Sequence, residues 1–311
     1  MKNIYLSHAR VGIWMAIKNE EIREDFNVLL PDYICESVPN YLISKKININ
    51  FYKIDRDLRI DWMSLKEKIN SKSRFLIIVN FFGFPLDLTK SIEFAKKNKL
   101  ILIEDSTHCH GGKYHNIDFG NFGDYAVTSP RKHIPLKYGG ILFSKKNIKF
   151  KLSNKYKTSS YYKLNYKLST NFLNQKLALK KLFRGSINSI PNYYEKLVIP
   201  SLLDKFSKNI IDNNDWKKIR ELKIRNYNFW DSFSSKNNLK KIINHELGDL
   251  NPWALPVLLG SRDELLYWLN WAIKNNVIAF SWPTLCKLTN KNSDARYLSN
   301  KVLCFSTYTK L

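Results

Sequence analysis

A succession of short apolar runs, spaced by segments long enough to hold a helix, constrains this chain more than any other feature. The runs at 26–30, 47–52, 75–79, 100–103, 125–128 and 140–143 fill the first half of the sequence. Several lack the alternation of a strand with one wet face, so they read as strands covered on both sides. Between two of them, Leu88, Ile92 and Ala95 recur at helical spacing after Asp87, a residue suited to cap that helix. Ser7 reads as the N-cap of an earlier helix through Ile17, with Val11, Trp14 and Ile17 on its apolar face. This βαβ rhythm predicts an α/β fold with a mainly parallel sheet and a ligand site beyond the carboxyl ends of the strands.

Two of those carboxyl ends carry chemistry. The run at 100–103 stops at Glu104-Asp105, and Tyr125-Ala126-Val127 leads into Thr128-Ser129, three residues before Lys132. Two buried parallel strands bring Asp105 and Lys132 to one edge of one sheet. An amine, a carboxylate and a hydroxyl converging there suit pyridoxal phosphate. The amine condenses with the aldehyde, the carboxylate pairs with the pyridinium nitrogen, and the hydroxyl helps hold the phosphate. Each residue also has a plainer reading: Asp105 caps the turn after its strand, and Lys132 is one lysine among many.

Composition narrows the alternatives. A chain of 311 residues accommodates a large α/β domain and a smaller one, and a hydrophobic fraction of 44% is ordinary for a packed protein. No apolar stretch reaches the roughly 18 residues of a membrane helix, and the first residues lack the apolar core of a signal peptide. Cys35, Cys109, Cys286 and Cys304 are scattered, without a CxxC pair, which reads as reduced thiols in the cytoplasm. With 51 basic against 27 acidic residues the net charge is +24, a value that raises the question of nucleic acid. The lysines are spread along the whole chain among asparagines and isoleucines, with no nucleic-acid-binding motif, so no nucleic-acid partner is expected. His108, Cys109, His110 and His115 fit no zinc spacing, so no metal is expected.

The second half is read in three parts. Residues 145–180 form a long connection with some helix, rich in Lys, Asn, Ser and Tyr. Residues 202–233 are helical in character. Strands at 253–259, 277–280 and 301–305 with a helix at 263–274 make a small α+β domain. The expected division is a large cofactor-binding domain over 1–200, then a helical connection and small domain over 201–311.

An ordered set of segments resembles one family. Leu6-Ser7-His8-Ala9-Arg10-Val11-Gly12 is similar to its helix start, Leu29-Leu30-Pro31-Asp32-Tyr33-Ile34-Cys35 to its LPaYxC segment, and Asn80-Phe81-Phe82-Gly83-Phe84-Pro85-Leu86-Asp87 to its hxFGxPxD. Glu104-Asp105-Ser106-Thr107-His108-Cys109-His110-Gly111 resembles EDAAQAxG, and Ser129-Pro130-Arg131-Lys132 with Gly139-Gly140 resembles the SxRK…GG form of its lysine loop. Ser281-Trp282-Pro283 resembles a late WP. These segments resemble the DegT/DnrJ/EryC1/StrS sugar aminotransferases, which are fold-type I enzymes with a three-layer large domain.

The resemblance implies that Lys132 carries pyridoxal phosphate and that Asp105 pairs with its ring nitrogen. His108 stands where the family has a glutamine on the 3-hydroxyl. Ser129 and the backbone amides of Ala9 and Arg10 are implied to hold the phosphate. Tyr33 is implied to stack on the ring, with Cys35 as the alternative. Ala9 replaces a usual glycine, and Lys137-Tyr138 replace the acidic approach to the paired glycines. The implied activity is amino transfer to a nucleotide-linked keto-sugar, with glutamate as donor, by a homodimer, in surface glycan or polysaccharide precursor synthesis. Three alternatives stand beside it. A sugar 3-dehydratase shares the cofactor but carries histidine in place of the lysine. The others are a non-catalytic paralogue and a nucleic-acid binder resting on charge alone.

Overall fold

The structure, a computed structural model, describes residues 2–21, 25–149, 151–160, 163 and 198–308, so most of the expected connection at 145–180 lies outside the described residues. The first-half strands are β1 (Lys2–Leu6), β2 (Asn27–Pro31), β3 (Asn48–Tyr52), β4 (Ser73–Val79) and β5 (Ile101–Ser106), then a short hairpin of β6 (Lys113–Tyr114) and β7 (Ile117–Asp118), then β8 (Tyr125–Thr128) and β9 (Gly140–Ser144). Seven of them make one sheet in the order β1-β9-β8-β5-β4-β2-β3. Pairing is parallel from β3 to β8 and antiparallel at β8–β9 and β9–β1.

Alternation along the central strands divides the core between two faces. Val28, Leu30, Phe75, Ile77 and Ile103 join one buried cluster with residues of α1 (Ala9–Asn19) and α2 (Ser37–Ser44). Leu29, Leu76, Ile78 and Leu102 join the other, with Leu65 of α3 (Trp62–Lys68) and Leu88 and Ala95 of α4 (Leu88–Lys97). The result is three layers, and it explains the continuous apolar runs: neither face of the sheet meets water.

The helix caps depart in part from expectation. His8, not Ser7, is the N-cap of α1, and its side chain makes no cap hydrogen bond. Asp87 does precede α4, but its carboxylate accepts the Ile60 N–H at 2.8 Å rather than capping the helix.

Beyond residue 198 come α5 (Lys205–Asp212) and the long α6 (Trp216–Lys236), each opened by an aspartate side chain bonded to the first turn. A second, four-stranded sheet follows, built from β10 (Lys240–Lys241), β11 (Ala254–Leu258), β12 (Ala279–Ser281) and β13 (Val302–Ser306) in the order β10-β11-β13-β12. Helices α7 (Arg262–Lys274) and α8 (Asp294–Lys301) contact this sheet. Leu255, Val257, Leu303 and Phe305 of the second sheet belong to the same buried cluster as α3 and α4. Among the described residues no helix is long and apolar enough to cross a membrane.

Candidate active site

Parallel register sets the first residue of the site. Asp105 lies opposite Val79 of β4 and Val127 of β8, at the carboxyl end of a central strand. Its carboxylate accepts the Thr107 N–H at 3.1 Å. Burial pushes the Asp105 carboxyl up, and the charge of Lys132 pulls it back.

From the end of β8 the chain enters a single 3-10 turn, Pro130–Lys132, which Pro130 starts with its fixed φ. Lys132 is half-buried, and its Nζ lies 4.5 Å from the ring centroid of Trp253 and 6.0 Å from that of Trp282. Burial lowers its pKa to about 8; the Arg131 guanidinium acts in the same direction and the Asp105 carboxylate against it. A lysine so placed has a larger neutral fraction near neutrality than a free lysine, which favours nucleophilic chemistry.

His108 is buried between aromatic rings. Trp253 stacks on it at 4.2 Å and 26°, and Trp282 meets it edge-on at 4.8 Å. Its Nδ1 accepts the Phe82 N–H at 3.1 Å, while burial, helped by the Lys132 charge, holds the imidazole well below its ordinary pKa. A neutral ring that accepts at Nδ1 carries its proton on Nε2, and that nitrogen has no hydrogen-bond partner in the protein.

The turn that feeds His108 is tightly specified. Phe82 sits at φ 56°, an uncommon conformation for a bulky residue, with its carbonyl on the Trp253 N–H at 2.8 Å. Gly83, at φ 106°, passes so close to the second sheet that a Cβ would lie 2.8 Å from Asn251 O and from Pro252 Cα.

Glu104 supports the edge from behind. Its buried carboxylate accepts from the Gly120, Phe122 and Gly123 amides at 3.0, 3.1 and 3.4 Å and from the Ser106 hydroxyl. Ser106 in turn accepts from Asn80 Nδ2 at 2.7 Å, so the ends of β4 and β5 and the loop before β8 are fastened to one side chain. The sequence reading passed over this role. A carboxylate inside an otherwise apolar strand was the signal for it.

The turn before α1 closes the site from another side. Ser129 Oγ donates to the Gly139 carbonyl at 3.1 Å, and the Gly139 N–H donates to the Ser7 carbonyl at 3.0 Å. Gly140 lies against the start of α1, where a Cβ would meet Ala9 N at 2.3 Å. The amides of Ala9 and Arg10 head that helix, where backbone N–H groups lack intrahelical acceptors. Burial, then the Arg10 and Arg131 guanidinium groups, drive the adjacent His8 imidazole down to about 3. Positive charge therefore gathers at the turn that holds Ser129.

Tyr33 takes a core position. It is fully buried, donates its hydroxyl to the Trp282 carbonyl at 2.7 Å, and meets the Phe81 and Trp282 rings edge-on. Cys35 is half-buried, accepts from Ser37 Oγ at 3.3 Å, and is close enough to Lys132 to favour its charged form. Thus Asp105, Lys132 and His108 come together with Trp253 and Trp282, Ser129 joins Ala9 and Arg10, and Tyr33 lies behind Trp282. Trp253 was read from sequence only as the start of a strand.

Residues 3–170 match the model of the DegT/DnrJ/EryC1/StrS aminotransferase family. The chain belongs to this family. GDP-perosamine synthase of Escherichia coli O157:H7 is 26% identical to this DegT family member over 125 residues, which are 40% of this chain and 34% of the synthase. The matched region spans about a third of the length of such curated relatives. Among solved structures, the Helicobacter pylori aminotransferase PseC, involved in the biosynthesis of pseudoaminic acid, aligns with 98% of this chain and 81% of its own at TM-score 0.68 and 16% identity. GDP-4-keto-6-deoxymannose-3-dehydratase aligns with 98% and 83% at TM-score 0.66 and 15% identity. The architecture is that of the fold-type I aminotransferases, a mostly parallel large sheet between helices.

Proposed function

We propose that this protein is a pyridoxal-phosphate-dependent aminotransferase that moves the amino group of glutamate onto a nucleotide-linked keto-sugar. The observation that carries the reading is the convergence at the carboxyl edge of the sheet: a half-buried lysine with a lowered pKa, a buried carboxylate on the neighbouring strand that feels its charge, and the orphan Nε2–H of His108. When bound, the cofactor supplies an electron sink for the pair released as a Cα proton leaves.

In that role Lys132 would hold the cofactor, and its amine would move the proton at Cα as base and acid. Asp105 would face the ring nitrogen and, as a carboxylate, favour its protonated form. His108 would donate from Nε2 to the ring oxygen, while Trp253 and Trp282 exclude water around the amine. Ser129 and the Ala9 and Arg10 amides take the phosphate. Tyr33 acts through Trp282 by fixing it from behind.

The substrate class rests on relatives whose names specify GDP-, dTDP- and UDP-linked amino sugars. A cytoplasmic homodimer serving surface glycan or polysaccharide precursor synthesis, with a large domain over 1–200 and a small one over 201–311, belongs to the same proposal. The separate second sheet supports that division.

Incubation of the cofactor-loaded protein with glutamate and a panel of nucleotide 4-keto-sugars tests the reaction. One 2-oxoglutarate should appear for each amino sugar formed, and Lys132→Ala should form neither. The alternative with the same cofactor is a sugar 3-dehydratase, in which the sugar loses water at carbon 3 and gains no nitrogen; the presence of Lys132, where such enzymes carry histidine, counts against it. Such a product would select that reading, and no conversion of any donor or sugar would leave the non-catalytic alternative.

A further inference from the structure

Lys223 is a buried amine that the proposed chemistry leaves unused. It projects from α6, is 1% exposed, donates from Nζ to Thr307 Oγ1 at 3.0 Å, and lies 4.4 Å from the Tyr308 ring centroid. Burial lowers its pKa from 10.5 to about 7. A lysine in such surroundings lowers the stability of the fold, so its presence calls for a use other than packing.

Its contacts lead to Lys132. Thr307 follows β13, and its hydroxyl, which accepts from Lys223, donates to the carbonyl of Pro252 at 2.7 Å or Trp253 at 3.0 Å. Asn226, one helical turn along α6, donates to the Thr307 carbonyl at 2.8 Å. Two side chains of one helix thereby grip the residue that grips the Pro252-Trp253 turn. The Trp253 N–H is fixed to Phe82 O, Phe82 N–H to His108, and the Trp253 ring lies against both His108 and Lys132. His133, at the end of the turn that carries Lys132, is buried with both ring nitrogens unpartnered, and the positive charges of Lys223 and Lys132 add to burial in lowering its pKa.

We propose that Lys223 is a positioning residue that holds Trp253 against Lys132, acting through the Thr307 hydroxyl. The proposal builds on the reading of Lys132 as the reactive amine, and it predicts that a costly buried donor far along the chain sets that amine's reactivity.

Lys223→Met and Thr307→Val remove the two ends of the bridge, while Lys223→Gln and Thr307→Ser keep a donor and a hydroxyl. Reductive methylation of each cofactor-free protein with formaldehyde across pH, followed by peptide mass mapping, reads Lys132 alone. Lys223→Met and Thr307→Val should slow the reaction at Lys132 roughly tenfold and move its midpoint away from about 8, with Gln and Ser close to the parent.

Thermal melting supplies the second readout. The folded-state pKa of Lys223 lies below its ordinary value, so its penalty is full below about pH 7 and fades as pH rises toward 10.5. Lys223→Met should therefore melt higher than the parent at neutral pH, with the gain shrinking in alkali. A lower melting temperature with unchanged Lys132 methylation would make Lys223 a core residue only and overturn the proposal. Failure of the parent to trap pyridoxal phosphate counts instead against the aminotransferase reading, because methylation needs no cofactor.

Discussion

At Lys132 three influences of unequal size act on one proton. Burial is the largest, Arg131 assists it, and Asp105 opposes both. The neutral amine is the reactive form, so the methylation rate of the cofactor-free protein should rise with pH to a midpoint near 8. Asp105→Asn removes the opposing charge and should lower that midpoint; Arg131→Ala should raise it. At His108 the orphan Nε2–H predicts that His108→Ala weakens pyridoxal phosphate binding about tenfold, from the roughly 1–3 kcal/mol tied to one buried hydrogen-bonding group. His108→Gln should retain most of it, as equilibrium dialysis would show. The convergence of Lys132 and Asp105 was legible in the sequence because each follows an apolar run within a few residues, whereas His108 was singled out by the resemblance alone. Trp253 and Lys223 were not legible, because they reach the site from the second sheet and from α6. Nothing local distinguishes a lysine that turns inward on an amphipathic helix from one that faces water.

Elements hold these residues in place through backbone contacts that side-chain patterns only partly reveal. The Glu104 clasp fixes residues 120–123 to the end of β5. Glu104→Gln would turn an amide NH2 toward backbone N–H groups, with a loss of about 1–3 kcal/mol for each donor left unsatisfied. Urea unfolding at neutral pH measures it, and an unchanged midpoint would contradict the clasp. Six expected strands of the first half appear with shifts of up to three residues at their ends, since a strand buried on both faces declares itself by composition. Strand β1 was missed because it is an antiparallel edge whose first residues, Lys2 and Asn3, are exposed. Helix α8 was missed because only Ala295 and Leu298 of its eight residues are buried, too few to show a period. The start of α1 was misplaced by one residue because the Ser7 carbonyl is engaged by the Gly139 N–H.

For the whole molecule, the net charge of +24 acts at a distance rather than at the chemistry. An anionic nucleotide-sugar, the proposed substrate, would be drawn to such a surface, and salt screens the attraction over about 10 Å at 0.1 M. The KM for the sugar should therefore rise with ionic strength while kcat changes little, and steady-state rates across a salt series would show it. A KM independent of salt would mean that the charge plays no part in recognition. Two sheets share the job of building the site: the large one supplies Asp105 and Lys132, and the small one supplies the aromatic seat at Trp253.

In the proposed function everything turns on Lys132 as the amine that carries the cofactor. Loading the protein with pyridoxal phosphate, reducing with borohydride and mapping the modified peptides tests it most directly. One stoichiometric pyridoxyl adduct is expected, on Lys132, absent from Lys132→Ala and weakened in Asp105→Ala. No adduct, or label scattered over the exposed lysines with Lys132 unmodified, would contradict it.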